Sequence, residues 1–277
     1  MKKACVGKIV LGAAAAAALP LFLAAPGRIS KRRKAPFYGL NYAHRGLHSK
    51  DKSVPENSLE AFRLAAEAGY GAELDVQLSR DGQVVVFHDD TLDRVCGVHG
   101  RVDEFSFEEL QTMRLCGTEH RIPLFSEVLR TVDGRGPLIV ELKTGRRNRE
   151  LCRKTYALLE SYRGQACIES FNPLIVAWFR IHGRDLVRGQ LAAPMSDYTK
   201  DGRSRFQAFL LSRTLLNFLA RPQFIAYDLV RRPLTVRLAE LLGAMKVGWT
   251  SHDRSNEKGR DAVIFEFYRP ELRFKDL

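Results

Sequence analysis

The chain has 277 residues, 45% of them apolar and 27% charged. That balance excludes a disordered or low-complexity chain and allows one large domain or two small ones. The net charge of +12 favours anionic partners, but no Cys/His zinc spacing, no repeat and no basic run interleaved with aromatics points to nucleic acid.

The chain opens on MKKACVGKIVLGAAAAAALPLFLAAPGRISKRRK. An apolar stretch runs from Ile9 to Ala25 between two basic clusters. Its length is at the low end for a spanning helix and long for a signal-peptide core. Pro26 crowds the Ala-x-Ala-like cut. The expectation is an uncleaved N-terminal transmembrane helix inside an anchor and basic linker, residues 1–35, followed by one domain over 36–277. Positive charge is denser after the apolar stretch, which places that domain on the cytoplasmic side. An exported domain tethered by its N-terminus is the alternative.

Beyond the linker, short apolar runs alternate with amphipathic stretches. The strand-like runs are 38–44, 72–78, 83–88, 137–143, 166–171, 186–192, 224–229, 245–250 and 262–267. Asn57-Ser58-Leu59-Glu60 reads as an Asn57 N-cap with a capping-box glutamate, opening a helix with Leu59, Phe62, Ala65 and Ala66 inward. Further helical patterns occupy 107–115, 124–132, 149–161, 173–182, 203–219 and 233–243. Within them, 206–219 reads as one inserted amphipathic helix, packed on the domain or lying on a membrane. Strands alternating with helices predict parallel βαβ units, and their number predicts an α/β TIM (β/α)8-type barrel. A doubly wound open sheet is the alternative, although no Gly-rich phosphate loop follows the first strand. Asp81-Gly82 predicts a hairpin turn. The segment 91–123 is longer than a connection needs and predicts a small insertion after the third strand, over the barrel mouth. Cys96, Cys116, Cys152 and Cys167 match no metal spacing. Free thiols are expected, with a Cys96–Cys116 bridge as the alternative in an exported domain.

Charged residues interrupt several of these runs. In 73-ELDV-76, Glu73 and Asp75 share a strand face, roughly 6–7 Å apart. Two carboxylates facing a barrel interior repel, and a divalent cation relieves that cost. Folding back at Gly82 places His88 roughly opposite Asp75. In 138-LIVELK-143, Glu141 and Lys143 share a face at the end of a strand, where a barrel carries its site. They can simply pair, or supply an oxygen ligand and a phosphate contact. Oxygen donors point to Mg²⁺ or Ca²⁺ rather than zinc. His44 and Arg45 end the first strand, and Gly46 lets the backbone turn there. Trp249 either walls a site or packs in the core. Glu169 is placed to face the mouth. His48, His99, His120, His182 and His252 read as surface or loop residues.

The motifs H-R-G at 44–46, P-E-N-S at 55–58, E-L-D-V and S-R-D-G within 73–82, V-V-F-H-D at 85–89, T-L-D-R at 91–94, E-L-K at 141–143, S-F-N-P at 170–173 and W-T at 249–250 occur together. In this order and spacing the chain resembles the glycerophosphodiester phosphodiesterases, of the phospholipase-C-like TIM-barrel group, from about residue 39 to the end. The resemblance implies metal-dependent hydrolysis of glycerophosphodiesters to glycerol 3-phosphate and an alcohol; lysophospholipids, cleaved in a lysophospholipase D-like way, are the further substrate class expected. It implies Glu73, Asp75 and Glu141 as ligands of one divalent cation, His44 and His88 as the acid–base pair, and Arg45 and Lys143 as phosphate contacts, with Trp249 beside the substrate. The implied partners are a small-molecule or lipid phosphodiester and the membrane, with no nucleic acid and no protein partner. A non-catalytic phosphate-binding module on the same barrel is the alternative. Two departures stand out. Ser251-His252-Asp253 follows Trp249-Thr250 where the family commonly has valine and asparagine, and 266-EFYRP-270 stands where a closing aspartate is usual.

Overall fold

The computed structural model describes residues 19–277. Eight parallel strands close into a barrel: β1 (Leu40–Ala43), β2 (Gly71–Leu78), β4 (Leu138–Leu142), β5 (Ala166–Ser170), β6 (Val187–Ala192), β7 (Phe224–Asp228), β8 (Met245–Ser251) and β9 (Ala262–Phe265). β1 pairs with both β2 and β9, which closes the sheet. A short β3 (Val84–Val86) folds back antiparallel on the end of β2, so the expected hairpin forms, with Gly82 at φ +81°. The barrel, rather than the open sheet, is the architecture.

Strand alternation sorts the side chains. Ala72, Leu74 and Val76 of β2, Leu138, Val140 and Leu142 of β4 and Ile168 of β5 face outward. There they pack against α1 (Leu59–Glu67), α2 (Phe125–Val132), α3 (Asn148–Glu160) and α4 (Pro173–His182). The inward face begins as an apolar floor. Ile139, Cys167, Val187, Phe224 and Met245 fill it, and Phe37 and Tyr38 pack beneath. Gly189 leaves room for the Phe224 ring, which a Cβ at position 189 would strike. One step further along β4 and β5 the same face turns acidic, Ile139 giving way to Glu141 and Cys167 to Glu169. Register pairs Asp75 with Glu141 and Glu141 with Glu169. The period-2 alternation thus stacks a carboxylate layer on an apolar one at the C-terminal mouth.

Three sequence expectations change. The N-cap of α1 is Ser58, whose hydroxyl accepts from Ala61 N, and Asn57 is left at φ +56° with its side chain turned elsewhere. The pattern 206–219 is two helices, α5 (Arg205–Ser212) and a four-residue turn of helix at Asn217–Ala220, because Thr214 takes φ +50° between them. The helix expected at 107–115 ends at Leu110. The connection from β7 to β8 contains α6 (Leu234–Leu241). The segment 91–123 gathers Leu92, Val95, Val102, Leu110, Leu115 and Ile122 around Val85 and Phe87 in a small core of its own. Cys96 and Cys116 border it as free thiols.

Most of the expected transmembrane helix falls on residues 1–18 and lies outside the described residues. Among those described, no helix is long and apolar enough to cross a membrane.

Candidate active site

Glu73, Asp75 and Glu141 come together at the mouth, each offering an oxygen within 4.8 Å of the others, and all three are buried. Glu169 completes the layer, 1% exposed. Burial raises the Glu73 carboxyl well above its ordinary range, and the charges of Asp75, Glu141 and Glu169 raise it further. Burial does the same for Glu169, whose Oε2 has no hydrogen-bond partner. Asp75 is the exception. Burial opposes its charge, but Lys143, His88, Arg45 and the Asn57 amide outweigh that and hold it far below the usual range. Four buried carboxylates facing one another, with an orphaned oxygen among them, are a donor set that fits a hard divalent cation.

The cationic side chains sit around this layer. Lys143 Nζ lies 2.9 Å from Glu141 Oε1 and 3.3 Å from Asp75 Oδ1. Arg45 does not stand free as a phosphate contact. Its Nη1 donates to Glu56 Oε1 at 2.7 Å, its Nε is 3.6 Å from Asp75 Oδ2, and its backbone N–H donates to Glu73 Oε2 at 3.0 Å. The last bond needs Arg45 at φ +53° and Gly46 at φ +79°, where Gly46 presses against Ala61 of α1 and a Cβ would be 2.8 Å from that residue.

The two histidines are each held by a carboxylate. His44 Nδ1 is 2.7 Å from Glu266 Oε1, which turns Nε2 toward Glu73 Oε2 at 3.9 Å. His88 Nδ1 is 2.6 Å from Asp89 Oδ1. The ladder places Phe87, not His88, beside Asp75, since Phe87 N–H donates to Asp75 O. His88 still lies near enough to bear on both Asp75 and Glu141. Its side chain is 32% exposed against 16% for His44.

Trp249 lines the same opening as Glu141 and Lys143. It meets Phe171 edge-on at 5.8 Å. Together with Tyr198, Leu210 and Leu211 it walls a cleft of about 880 Å³ that reaches Glu141 and Lys143. The Trp249 Nε1–H is buried without an acceptor.

Several residues of the site escaped the sequence reading. Asn57 donates Nδ2–H to Asp75 Oδ2 at 2.9 Å, so it supports a ligand rather than capping a helix. His48 lies in a loop as expected but is not exposed: its side chain is 9% exposed, with Nε2 at 3.3 Å from Glu266 Oε1. His99, His182 and His252 are exposed as expected, and His120 is half-buried. Arg94 bridges Glu56 and Asp89 through four hydrogen bonds of 2.6–3.0 Å, tying the Arg45 side of the mouth to the His88 side. Glu56, Asn57, Asp89 and Arg94 all lay inside recognisable motifs, which was the available signal.

The network has a pH signature. Burial opposes the Glu56 charge, but Arg94 and Arg45 overcome it and bring the carboxyl from 4.5 to about 2. A carboxyl depressed on folding stabilises the fold above its unfolded pKa, and that contribution disappears as pH falls through the folded value. Asp89 and Glu266 shift in the same direction. The melting temperature is therefore expected to fall as pH drops from about 4.5 toward about 2, and Glu56→Gln to flatten part of that slope. A melting series by circular dichroism checks this; identical slopes for the two proteins would refute the role of Glu56.

Three comparisons bear on this geometry. Residues 44–262 match the model of the glycerophosphoryl diester phosphodiesterase family. A glycerophosphodiester phosphodiesterase of Caldanaerobacter subterraneus is 40% identical over 37% of this chain and 44% of its own. Human glycerophosphodiester phosphodiesterase 1 is 28% identical over 60% of this chain and 53% of its own, and a human lysophospholipase D is 30% identical over 51% and 48%. The chain thus spans about half the length of these relatives. In fold it is similar to an Oleispira antarctica phosphodiesterase solved with its product sn-glycerol 3-phosphate. The TM-score is 0.67 at 23% identity, over 82% of this chain and 93% of that one.

Proposed function

The chain belongs to the glycerophosphoryl diester phosphodiesterase family, and on that premise we propose that it hydrolyses glycerophosphodiesters to glycerol 3-phosphate and an alcohol. The observation that carries the proposal is the buried cluster of Glu73, Asp75 and Glu141 with a carboxylate-held histidine on either side. The three carboxylates would hold one divalent cation, Mg²⁺ or Ca²⁺, which supplies charge stabilisation at the phosphoryl oxygens.

The side chains divide the remaining work. Lys143 and Arg45 offset the negative charge of the diester, Lys143 by turning from the carboxylates toward a phosphoryl oxygen. His44 suits the base. Burial lowers its pKa from 6.5, a fall that the Glu266 hydrogen bond only partly offsets. With Nδ1–H given to Glu266, Nε2 keeps a lone pair facing the carboxylate layer. It takes the proton of the attacking water as that oxygen bonds to phosphorus; where the neighbouring glycerol hydroxyl attacks instead, water opens the resulting cyclic phosphate in a second step in which the two histidines exchange roles. His88 suits the acid. It is the more exposed of the two, and it protonates the oxygen whose bond to phosphorus breaks. Lysophospholipids extend the same chemistry, and the apolar wall of Trp249, Phe171 and Leu211 supports them as substrates.

Incubating the protein with glycerophosphocholine and Mg²⁺ or Ca²⁺, and assaying glycerol 3-phosphate, tests the reading. Release that EDTA abolishes and added cation restores is expected. Undiminished turnover in EDTA would refute the cation's role. Absence of glycerol 3-phosphate from several head groups, together with absence of lysophosphatidic acid from lysolipids, would replace the enzyme with a phosphate-binding module.

A further inference from the structure

Helix α4 buries Ile175, Val176 and Phe179 on the barrel and turns another stripe outward. Leu174 and Ile181, two turns apart on that stripe, are 65% and 61% exposed, and the half-buried Ala177 and Trp178 lie between them. No charge interrupts it. Beside it, the turn at 217–221 receives the N-terminal segment. Asn217 Nδ2 donates to Ala24 O at 3.2 Å, and Arg221 Nη1 donates to Phe22 O at 3.0 Å and Ala25 O at 2.9 Å. The Phe22 and Phe218 rings lie 5.8 Å apart, yet Leu19, Leu21 and Phe22 stay largely exposed. Arg180 joins the two parts, its Nη1 donating to Phe218 O and Leu219 O. An exposed apolar surface therefore runs from α4 onto residues 19–25.

The basic residues around it lack counter-charges. Arg180 and Arg221 give their donors to the carbonyls just named. Arg33 Nη2 donates to Arg184 O and Asp185 O at 3.0 and 2.8 Å, while Arg188 lies buried beneath the face, its Nε donating to Ala220 O at 3.1 Å. Among the described residues none of these four arginines pairs with a carboxylate, unlike Arg45, Arg94 and Arg232. They are close enough to disfavour one another: burial, then Arg180 and Arg33, lower Arg188 to about 10, and burial, then Arg180, lower Arg221. Lys31 and Arg32 add exposed charge on the same segment.

We infer that this face, α4 with the 217–221 turn and residues 19–34, seats the barrel on a bilayer that contains anionic phospholipid. Uncompensated arginines beside exposed phenylalanine and aliphatic side chains match a phosphate head-group layer over an acyl boundary. The stretch leading into the face, Ile9 to Ala18, is uncharged and apolar. Leu174 also lines the cleft that reaches Glu141 and Lys143, so the seated face is continuous with the mouth of the site. The inference reaches beyond the catalytic reading and needs none of its chemistry.

The test uses the full chain on vesicles of phosphatidylcholine, with or without phosphatidylglycerol. Ile181→Trp reports on the face and Glu108→Trp, on the 91–123 insertion, serves as the remote control. The signal is the increment over the parent, which carries two tryptophans. With phosphatidylglycerol present, acyl-brominated lipid is expected to quench the Ile181→Trp increment and aqueous iodide to spare it, with the reverse for Glu108→Trp. Arg180→Gln with Arg221→Gln should raise the vesicle concentration needed for lipid quenching by about tenfold or more. An Ile181→Trp increment that stays open to iodide on chain-bearing vesicles overturns the inference. So does equal lipid quenching without phosphatidylglycerol.

Discussion

Asp75→Asn and Glu73→Gln are each expected to abolish phosphodiester hydrolysis, yet to move the stability of the cation-free protein in opposite directions. Asp75 is the negative hub of the mouth, with Lys143, Arg45 and the Asn57 amide directed at it. Its charge is favoured despite complete burial. Neutralising it leaves Lys143 and Arg45 short of a buried counter-charge, and losing one partner of such a pair costs about 3–5 kcal/mol. Glu73 sits where burial and three neighbouring carboxylates disfavour its charge. A glutamine there keeps an oxygen for the Arg45 N–H and relieves the repulsion, so the cation-free fold should melt higher. This is the trade of stability for function that a charged site makes. Activity should fall at least about 10³-fold in both, the upper range for one group in an electrostatic site. Calorimetric titration with Mg²⁺ and Ca²⁺ should show binding lost in both, and cation-free melting curves should show the opposite signs. A Glu73→Gln protein that melts below the parent would refute the crowded-carboxylate reading.

His44→Ala should lower kcat/KM by about 10²–10⁴-fold, the usual worth of a positioned general base, and His88→Ala by a similar factor. Glu266→Gln is the sharper experiment, because of the two histidines Glu266 holds, His44 is the one that faces the carboxylate layer. Its hydrogen bond orients the imidazole and raises the ring's pKa against the burial that lowers it. Removing the charge should cost about 10–100-fold, as outer-shell partners of site residues do, and lower the His44 pKa further. The acidic limb of kcat/KM against pH should therefore move to lower pH, with KM little changed. A structural role alone would lower activity and leave the profile in place. His48 shares the same carboxylate, so His48→Phe should leave the profile close to the parent's.

Much of the site was legible because strand periodicity is local. Glu73 and Asp75 share a face by alternation, and Glu141 and Lys143 end a strand at the mouth, which needs nothing beyond the period of two. His44, His88 and Arg45 were likewise placed by strand ends and a hairpin turn. The residues that were missed act across long sequence distances. Glu266 reaches His44 over 222 positions, and its motif had departed from the family's usual aspartate. Asn57 was misassigned for a different reason: Asn and Ser are equally good N-caps, and only the backbone at φ +56° frees Asn57 for Asp75. Arg45 was expected to meet a phosphate directly, but Glu56 occupies one of its nitrogens, a contact set by how the 55–58 loop folds over the strand.

The sequence by itself determined the order and period of the strands, the barrel class, the residues of the carboxylate layer and the two histidines proposed to work beside it. These follow from alternation, turn chemistry and motif spacing, all of them short-range properties. Only the tertiary structure decided which charges are favoured. Closing eight strands brings Asp75, Glu141 and Glu169 into one register, and of these carboxylates Asp75 takes both Lys143 and Arg45 while Glu141 takes Lys143 alone, so chemically equivalent carboxylates acquire opposite preferences. It also decided that α4 and the 217–221 turn present apolar side chains and unpaired arginines on one surface. That juxtaposition joins segments on either side of β6 to residues 19–25. Linear distance along the chain says nothing about it until the barrel closes.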